Sequence, residues 1–328
     1  MPSTSLYFMK FLVTIIVLFS TTLCLAQKQN VYFLKNDGRY VEVRDSADYI
    51  RIIREPDSAS TLYNVFEYYM NGKRRLIGKS ITVDPQRFEG ECITYFPNGV
   101  KMSIVNYVKG ARSGPEYDFF PNGKPYLVKE FAADGQPDSY FKQYYLKACY
   151  DSVGTALVEN GNGYAKIYDG DFKNIFEEGG IKNGRHDGEC RGYDKKRNAT
   201  FSEIYSNEKL VSGTAKYEDG STSDYTGSRA RAPEFEGGVV AFGRYLGDNI
   251  KYPDLERRNG VSGRVILSFV VEKDGSVSDV KVSKSVSQGL DKEAVRVIKK
   301  SAHWVPGTAY GRAVRVAYNV PVNFKLTN

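Results

Sequence analysis

Catalysis near neutral pH needs side chains that ionise or attack there, and this 328-residue chain carries only two histidines and four cysteines. His186 sits in a turn among charges and His303 precedes Trp304, so neither has a partner base or nucleophile beside it. Cys92, Cys149 and Cys190 remain if Cys24 leaves with a leader. Three is odd and Cys-x-x-Cys is absent, so they read as small buried apolar residues, remote from histidine, rather than metal ligands. Phosphate loops, His-Glu-x-x-His and Gly-x-Ser-x-Gly are missing, and Asp169, Asp171, Glu177 and Glu178 lack calcium-loop spacing. The expectation is a binding protein, not an enzyme, with no metal and no cofactor.

What the chain offers instead is backbone chemistry at one strand. From Val314 to Leu326 the even positions are Val, Val, Tyr, Val, Val, Phe and Leu, while the odd ones are Arg315, Ala317, Asn319, Pro321, Asn323 and Lys325. Period two over thirteen residues is a half-buried strand. Pro321 has no N–H, and a proline facing a paired neighbour would forfeit a ladder bond, so the odd set is expected to address an open edge. Such an edge can accept a partner's extended segment as another strand, which makes Arg315, Ala317, Asn319, Pro321 and Asn323 candidate partner-binding residues. The other use of an edge proline is to blunt aggregation.

The segments before it must position that strand. Val239, Phe242, Leu246 and Ile250 recur at helical spacing; Val265, Leu267, Phe269 and Val271 alternate; Lys273-Asp274-Gly275-Ser276 reads as a hairpin turn. Leu290, Ala294, Val297 and Ile298 mark one face of a second helix that stops before Pro306. The predicted order is helix, strand, turn, strand, helix, strand.

At these residues the chain resembles the C-terminal domain of TonB-type proteins. The matching pieces are Pro233-Glu-Phe-Glu-Gly-Gly238, Tyr252-Pro253, Gly263-Arg-Val265, Asp274-Gly275, Leu290-Asp291, Trp304-Val-Pro306 and Val320-Pro-Val-Asn-Phe324. The resemblance implies a small α+β domain in the periplasm that grips outer-membrane TonB-dependent receptors, and it adds Tyr252 and Pro253 to the candidate contact residues. Full family members have a membrane helix bearing a functional histidine and a long Pro-rich reach. Here the N-terminal apolar segment has no histidine and the prolines are scattered, which puts coupling to an ExbB/ExbD-like motor in doubt.

Composition favours turn-rich β structure: 25 tyrosines, 31 glycines and 12 prolines. The net charge of +7 lies wholly in residues 229–328, which hold 17 Lys plus Arg against 10 Asp plus Glu. No basic helix or RNA-binding signature accompanies it, so nucleic acid is not the expected partner, while an acidic peptide or anionic lipid surface stays open. Residues 1–26, with Lys10, an apolar run and Cys24-Leu25-Ala26, read as a signal peptide, the rival readings being an uncleaved anchor and a lipoprotein signal.

Residues 27–225 repeat. Gly90-Glu-Cys-Ile-Thr-Tyr-Phe-Pro-Asn-Gly99 is echoed 24 residues on by Gly114-Pro-Glu-Tyr-Asp-Phe-Phe-Pro-Asn-Gly123, and further copies begin at Gly163, Gly188 and Gly213. Each copy reads as one hairpin whose neighbours bury its face. The unit resembles the MORN repeat, with Tyr95, Phe119 and Tyr168 at its aromatic position. Residues 226–232 read as a linker to a domain over residues 233–328. The predicted fold is mainly β, stacked antiparallel hairpins followed by a small α+β domain. Two functions follow: a periplasmic transport component that binds outer-membrane receptors by strand addition, or a non-energised envelope scaffold using the repeats and the last domain as two protein-binding modules.

Overall fold

The computed structural model describes residues 28–131, 144–301 and 304–326. The signal-peptide reading and His303 lie outside these residues. Among the described residues no helix is long and apolar enough to cross a membrane. The chain divides into two compact units, Met1–Ala156 and Leu157–Asn328.

In the first unit successive antiparallel strands pair with their sequence neighbours, among them Tyr63–Tyr69 with Arg74–Ser80, Gly90–Tyr95 with Lys101–Val108, and Ala111–Phe119 with Pro125–Phe131. The Pro-Asn-Gly turns are built differently from a two-residue Asn-Gly hairpin. Gly99 N–H donates to Phe96 O at 2.8 Å and Phe96 N–H to Val100 O at 2.8 Å, with φ +91° at Gly99, so only the glycine is left-handed. The pairing shifts register between Thr94 and Tyr95, as a bulge requires.

The turn asparagine is thereby free to stitch repeats together. Asn71, Asn98 and Asn122 each accept the N–H two residues on at 3.0 Å, and each donates its amide to the next turn, at Pro97 O (3.2 Å), Pro121 O (2.9 Å) and Ser152 O (3.0 Å). Tyr95 and Phe119 are half-buried; the rings that fill the core are their neighbours Phe96 and Phe120. One buried carboxylate in each of two strands is neutralised, Glu67 by Arg51 and Arg75 from the two neighbouring strands, Glu116 by Lys129 from the neighbouring strand and by Arg112 four residues earlier on its own.

The second unit continues the hairpin pattern through Asn162–Tyr168, Ile175–Lys182, Arg185–Asp194, Ala199–Ser206, Lys209–Tyr217 and Thr222–Gly227. An α+β domain follows. Its sheet runs in the order Val277–Lys284, Gly263–Val271, Val316–Phe324, and its helices are α1 (Gly238–Asn249), α2 (Asp254–Arg258) and α3 (Gln288–Lys299). Val265, Leu267, Phe269 and Val271 are fully buried on one sheet face with Leu290, Ala294 and Ile298 of α3, as their period-two and helical spacings demand. Ser287 caps α3 by accepting Leu290 N–H at 3.3 Å. The fold is mainly β with a C-terminal α+β domain.

Three details depart from the sequence expectation. Val239 is 85% exposed, because α1 turns Ala241, Phe242, Tyr245 and Leu246 toward the core. The thirteen-residue strand is broken at Arg315, where the chain changes partners: Arg312–Val314 pairs with Gly307–Ala309, and only Val316–Phe324 joins the main sheet. Residues 226–232 are not a bare connector, since Ala230–Arg231 pairs with Gly307–Ala309 and Arg229 is drawn into buried ion pairs.

The hairpin turn at Asp274-Gly275 forms as read, with Gly275 N–H donating to Glu272 O at 3.0 Å and φ +83° at Gly275. A Cβ on Gly275 would also lie 2.2 Å from Trp304 O, whereas one on Gly99 would meet only Lys73 Cδ at 3.6 Å. Both glycines relieve the same torsional strain, so the pair isolates the backbone collision. Gly99→Ala is expected to cost about 1 kcal/mol and Gly275→Ala about 2–3 kcal/mol, measured by denaturant titration of the full chain. Equal losses would mean that the Gly275–Trp304 approach is not needed.

Candidate partner-binding edge

Val316–Phe324 is an edge strand. It pairs antiparallel with Gly263–Val271, in register Ser268↔Asn319, Ile266↔Pro321 and Arg264↔Asn323, and no strand among the described residues pairs with its other side. Val320, Val322 and Phe324 are buried while Ala317, Asn319, Pro321 and Asn323 are exposed, the alternation a half-buried strand must have. Pro321 cannot donate, so in this ladder it belongs to the residues whose backbone faces outward, and Asn319 and Asn323 share its phase.

The predicted contact residues do not all behave alike. The Arg315 side chain folds back, its Nε donating to Glu272 at 2.9 Å and its Nη2 to Asp279 Oδ2 at 2.7 Å, so it braces the hairpin rather than reaching outward. Asn323 accepts Arg264 Nε at 2.8 Å across the strand pair. Tyr252 packs edge-on against Phe324, ring centroids 5.8 Å apart, and its hydroxyl donates to Val261 O at 2.5 Å. Pro253 is the N-cap residue of α2, extended in backbone, and its carbonyl accepts Arg257 N–H at 2.9 Å.

An open groove of about 390 Å³ brings two of the predicted pieces together, lined by Pro321 and Asn323 on one side and Tyr252 on the other. Gly243, Leu246 and Gly247 of α1 form another wall, with Ile250 just past the helix end and Phe324 and Lys325 completing the lining. The sequence reading did not place these residues at the candidate site. Their signal was present, because two glycines four residues apart inside a helical pattern are costly and face the same side.

Residues 248–326 match the family model described as Gram-negative bacterial TonB protein C-terminal. This stretch is a TonB-type C-terminal domain. Two curated relatives, both named Protein TonB and from Helicobacter pylori strains J99 and 26695, are 40% identical over 57 residues. The alignment covers 17% of this chain and 20% of each relative. Two NMR solution structures of the Helicobacter pylori TonB-CTD are also similar. One is 27% identical, with a TM-score of 0.24 over 27% of this chain and 95% of that one; the other is 24% identical, with a TM-score of 0.23 over 27% and 81%.

The TonB-type domain is clamped to the hairpins that precede it. Arg229 Nε donates to both oxygens of fully buried Glu203, at 2.7 and 2.8 Å; its other nitrogens reach Glu177 and Glu203, and its Cζ lies 4.5 Å from the centroid of the Phe201 ring. Tyr225 Oη donates to the same Glu203 at 2.8 Å. From the domain's side, Tyr310 stacks on Phe201 at 5.3 Å and meets Tyr225 edge-on at 5.6 Å, and Tyr217 Oη donates to Tyr310 O at 3.2 Å. A Cβ on Gly311 would lie 2.5 Å from Asp224 O, so only glycine allows this approach.

Cys190 lies only four residues after His186, on the same strand Arg185–Asp194, so the reading of the cysteines as remote from histidine does not hold for it. Glu177, His186 and Cys190 place their ligand atoms within 4.8 Å of one another. The cation beside them is a guanidinium, with Arg229 Nη2 at 3.6 Å from Cys190 Sγ and Nη1 on Glu177, while His186 Nε2 lies 3.0 Å from Glu177 Oε1. Burial alone would raise the Glu177 carboxyl; the His186 hydrogen bond and the Arg229 charge outweigh it and lower it to about 2. Burial pushes the Cys190 thiol up, and brings Cys92 to about 12, so neither is a thiolate near neutral pH.

Proposed function

We propose that the TonB-type domain grips an extended periplasmic segment of an outer-membrane TonB-dependent receptor, accepting it as a fourth strand beside Val316–Phe324, in nutrient transport across the cell envelope. The observation that carries this is the unpaired outer side of that strand, with Pro321 in the outward phase. A row of outward donors and acceptors supplies affinity to any strand of matching length, and neighbouring side chains supply choice. The domain needs no catalytic group for this, and its excess of cations suits an acidic segment.

Asn319→Pro tests the reading. It removes a second outward N–H and leaves the buried even face untouched, so a receptor-derived peptide is expected to bind at least about tenfold more weakly to a domain whose circular dichroism is unchanged. Undiminished binding to a folded Asn319→Pro chain means that strand addition at this edge is wrong.

A second reading, a non-energised envelope scaffold with the repeats and the last domain as two protein-binding modules, is favoured by the Arg229 and Tyr310 clamp. A domain held to its repeats suits fixing a partner in place more than reaching for it. N-terminal sequencing of envelope-purified protein separates the two: retention of residues 1–26 supports coupling to an ExbB/ExbD-like motor, and a start at Gln27 supports the scaffold.

A further inference from the structure

We infer that the outer face of the Met1–Ala156 hairpins docks an acidic amphipathic helix of a partner protein, laid across the strands; this is independent of strand addition at the last domain. Ile52, Phe66, Ile77, Ile93, Ile104 and Tyr117 stand directly opposite one another, each on the strand beside the one before, and Val31 and Val128 extend the row by one strand at either end. Val65, Cys92 and Val105, their neighbours in sequence, fill the core on the other face. None of the eight is buried, and Val31 and Tyr117 are 46% and 42% exposed.

Stacked hairpins do not need this row to be apolar. The outer row of the Leu157–Asn328 hairpins, Lys166, Glu178, Arg191, Ser202, Thr214 and Asp224, is paired in the same way and is polar throughout. A contiguous apolar row kept on a solvent face marks a contact surface, and its shape selects the occupant. Eight strands about 4.8 Å apart make a row about 34 Å long and one residue wide, at right angles to the strands. A helix rises about 5.4 Å per turn, so its apolar stripe presents a side chain at nearly every strand, and about 22 residues span the row.

The rows on either side decide against a wider occupant. They carry Arg54, Lys79, Arg74 and Lys101 against Glu91 and Glu130, and a second sheet packed face to face would bury these charges. A second copy would also set its own excess of cations against this one. A helix leaves both rows at its rim, where the cations meet carboxylates on its flanks. Between Phe66, Ile77, Lys79 and Glu91 the face is an open groove of about 500 Å³, which a convex helix fills and a flat bilayer surface does not.

The test uses the full chain and three labelled synthetic peptides of about 22 residues. One carries leucine at i, i+3, i+4 and i+7 spacing with glutamate elsewhere, the second has the same composition with its leucines dispersed, and the third has lysine for glutamate. By fluorescence anisotropy the acidic amphipathic helix is expected to bind at least about tenfold more tightly than either of the others. Ile77→Thr with Ile93→Thr keeps β-branched residues in the strands and removes apolar surface, so it is expected to weaken that binding at least about tenfold with circular dichroism unchanged. Lys79→Glu, an exposed change, is expected to weaken the acidic helix and strengthen the lysine one, by about threefold each. Asn319→Pro is expected to change neither. Equal binding of the dispersed peptide, binding that survives the double threonine change, or no binding at all overturns the inference. Loss of binding in Asn319→Pro assigns the peptide to the last domain and overturns it as well. A chain that ignores the peptides but binds phosphatidylglycerol vesicles, or sediments as a dimer, in either case only while Ile77 and Ile93 are present, assigns the row to a membrane or to a second copy instead.

Discussion

Arg229→Ala is expected to destabilise the Leu157–Asn328 unit by about 3–5 kcal/mol, the range found when one partner of a buried ion pair is removed. The loss does not come from the attraction alone. Glu203 is fully buried and Glu177 nearly so, and without the guanidinium both carboxylates stay dehydrated with hydroxyl or imidazole donors as their remaining partners. Trp304 is the single tryptophan of the chain and lies in this unit, so its fluorescence during denaturant titration reports the transition directly. A loss below about 1 kcal/mol would mean that water or relaxation solvates the site.

The pH dependence of the same cluster has a definite sign. Glu177 has its carboxyl lowered from 4.5 to about 2 in the folded chain, so it binds protons more readily when unfolded. Its contribution, about 3 kcal/mol for a shift of this size, is complete above pH 4.5 and is lost as pH falls toward 2. In Arg229→Ala the buried Glu177 carboxyl loses the charge that holds it low, so the deficit of the variant is expected to be largest near neutral pH and to shrink on acidification. A deficit independent of pH between 7 and 4 would assign the loss to packing against Phe201 rather than to charge.

The parts of this fold legible in the sequence are those fixed by local periodicity. Val265 through Val271 alternate, Leu290 through Ile298 recur on one helix face, and the Asp274-Gly275 turn needs a positive φ; each follows from backbone geometry within a few residues. The repeat turns were legible as turns, but the asparagine role was not, because Asn98 finds its partner at Pro121, one repeat away. The contacts of Arg229, within the stretch read as a linker, were not legible for a similar reason. A stretch poor in apolar residues looks solvated until one knows that Glu177 and Glu203 wait 52 and 26 residues upstream. In the candidate site, the open edge followed from Pro321 alone, while the opposing wall required knowing that α1 lies beside it. Glycine at 243 and 247 carried that signal, as an unexplained cost in a helix.

Trp304→Ala is expected to cost about 3–5 kcal/mol and to weaken peptide binding at the edge with it. The indole is nearly fully buried and touches four rings, Phe235 at 5.6 Å, Phe242 at 5.4 Å, Phe269 at 5.3 Å and Tyr318 at 5.6 Å. Those rings belong to the entering chain, α1, the central strand and the edge strand, so one side chain spans every layer of the domain. Its N–H donates to Ser301 Oγ at 3.1 Å, and that hydroxyl donates to Ile298 O at 2.6 Å, fastening the C-terminal end of α3. Its backbone carbonyl occupies the space that only glycine leaves at position 275. The cavity left by alanine therefore opens between α1 and the edge strand, two walls of the groove, and Tyr318 loses the ring that holds it. Trp304→Phe keeps most of the apolar surface and forfeits the Ser301 bond, so it is expected to recover more than half of the lost stability and most of the binding. Circular dichroism must follow both variants, since the fluorescence reporter is gone. If Trp304→Ala unfolds at the wild-type denaturant midpoint, the groove walls are held apart by something other than this ring cluster, and the link between core packing and edge recognition fails.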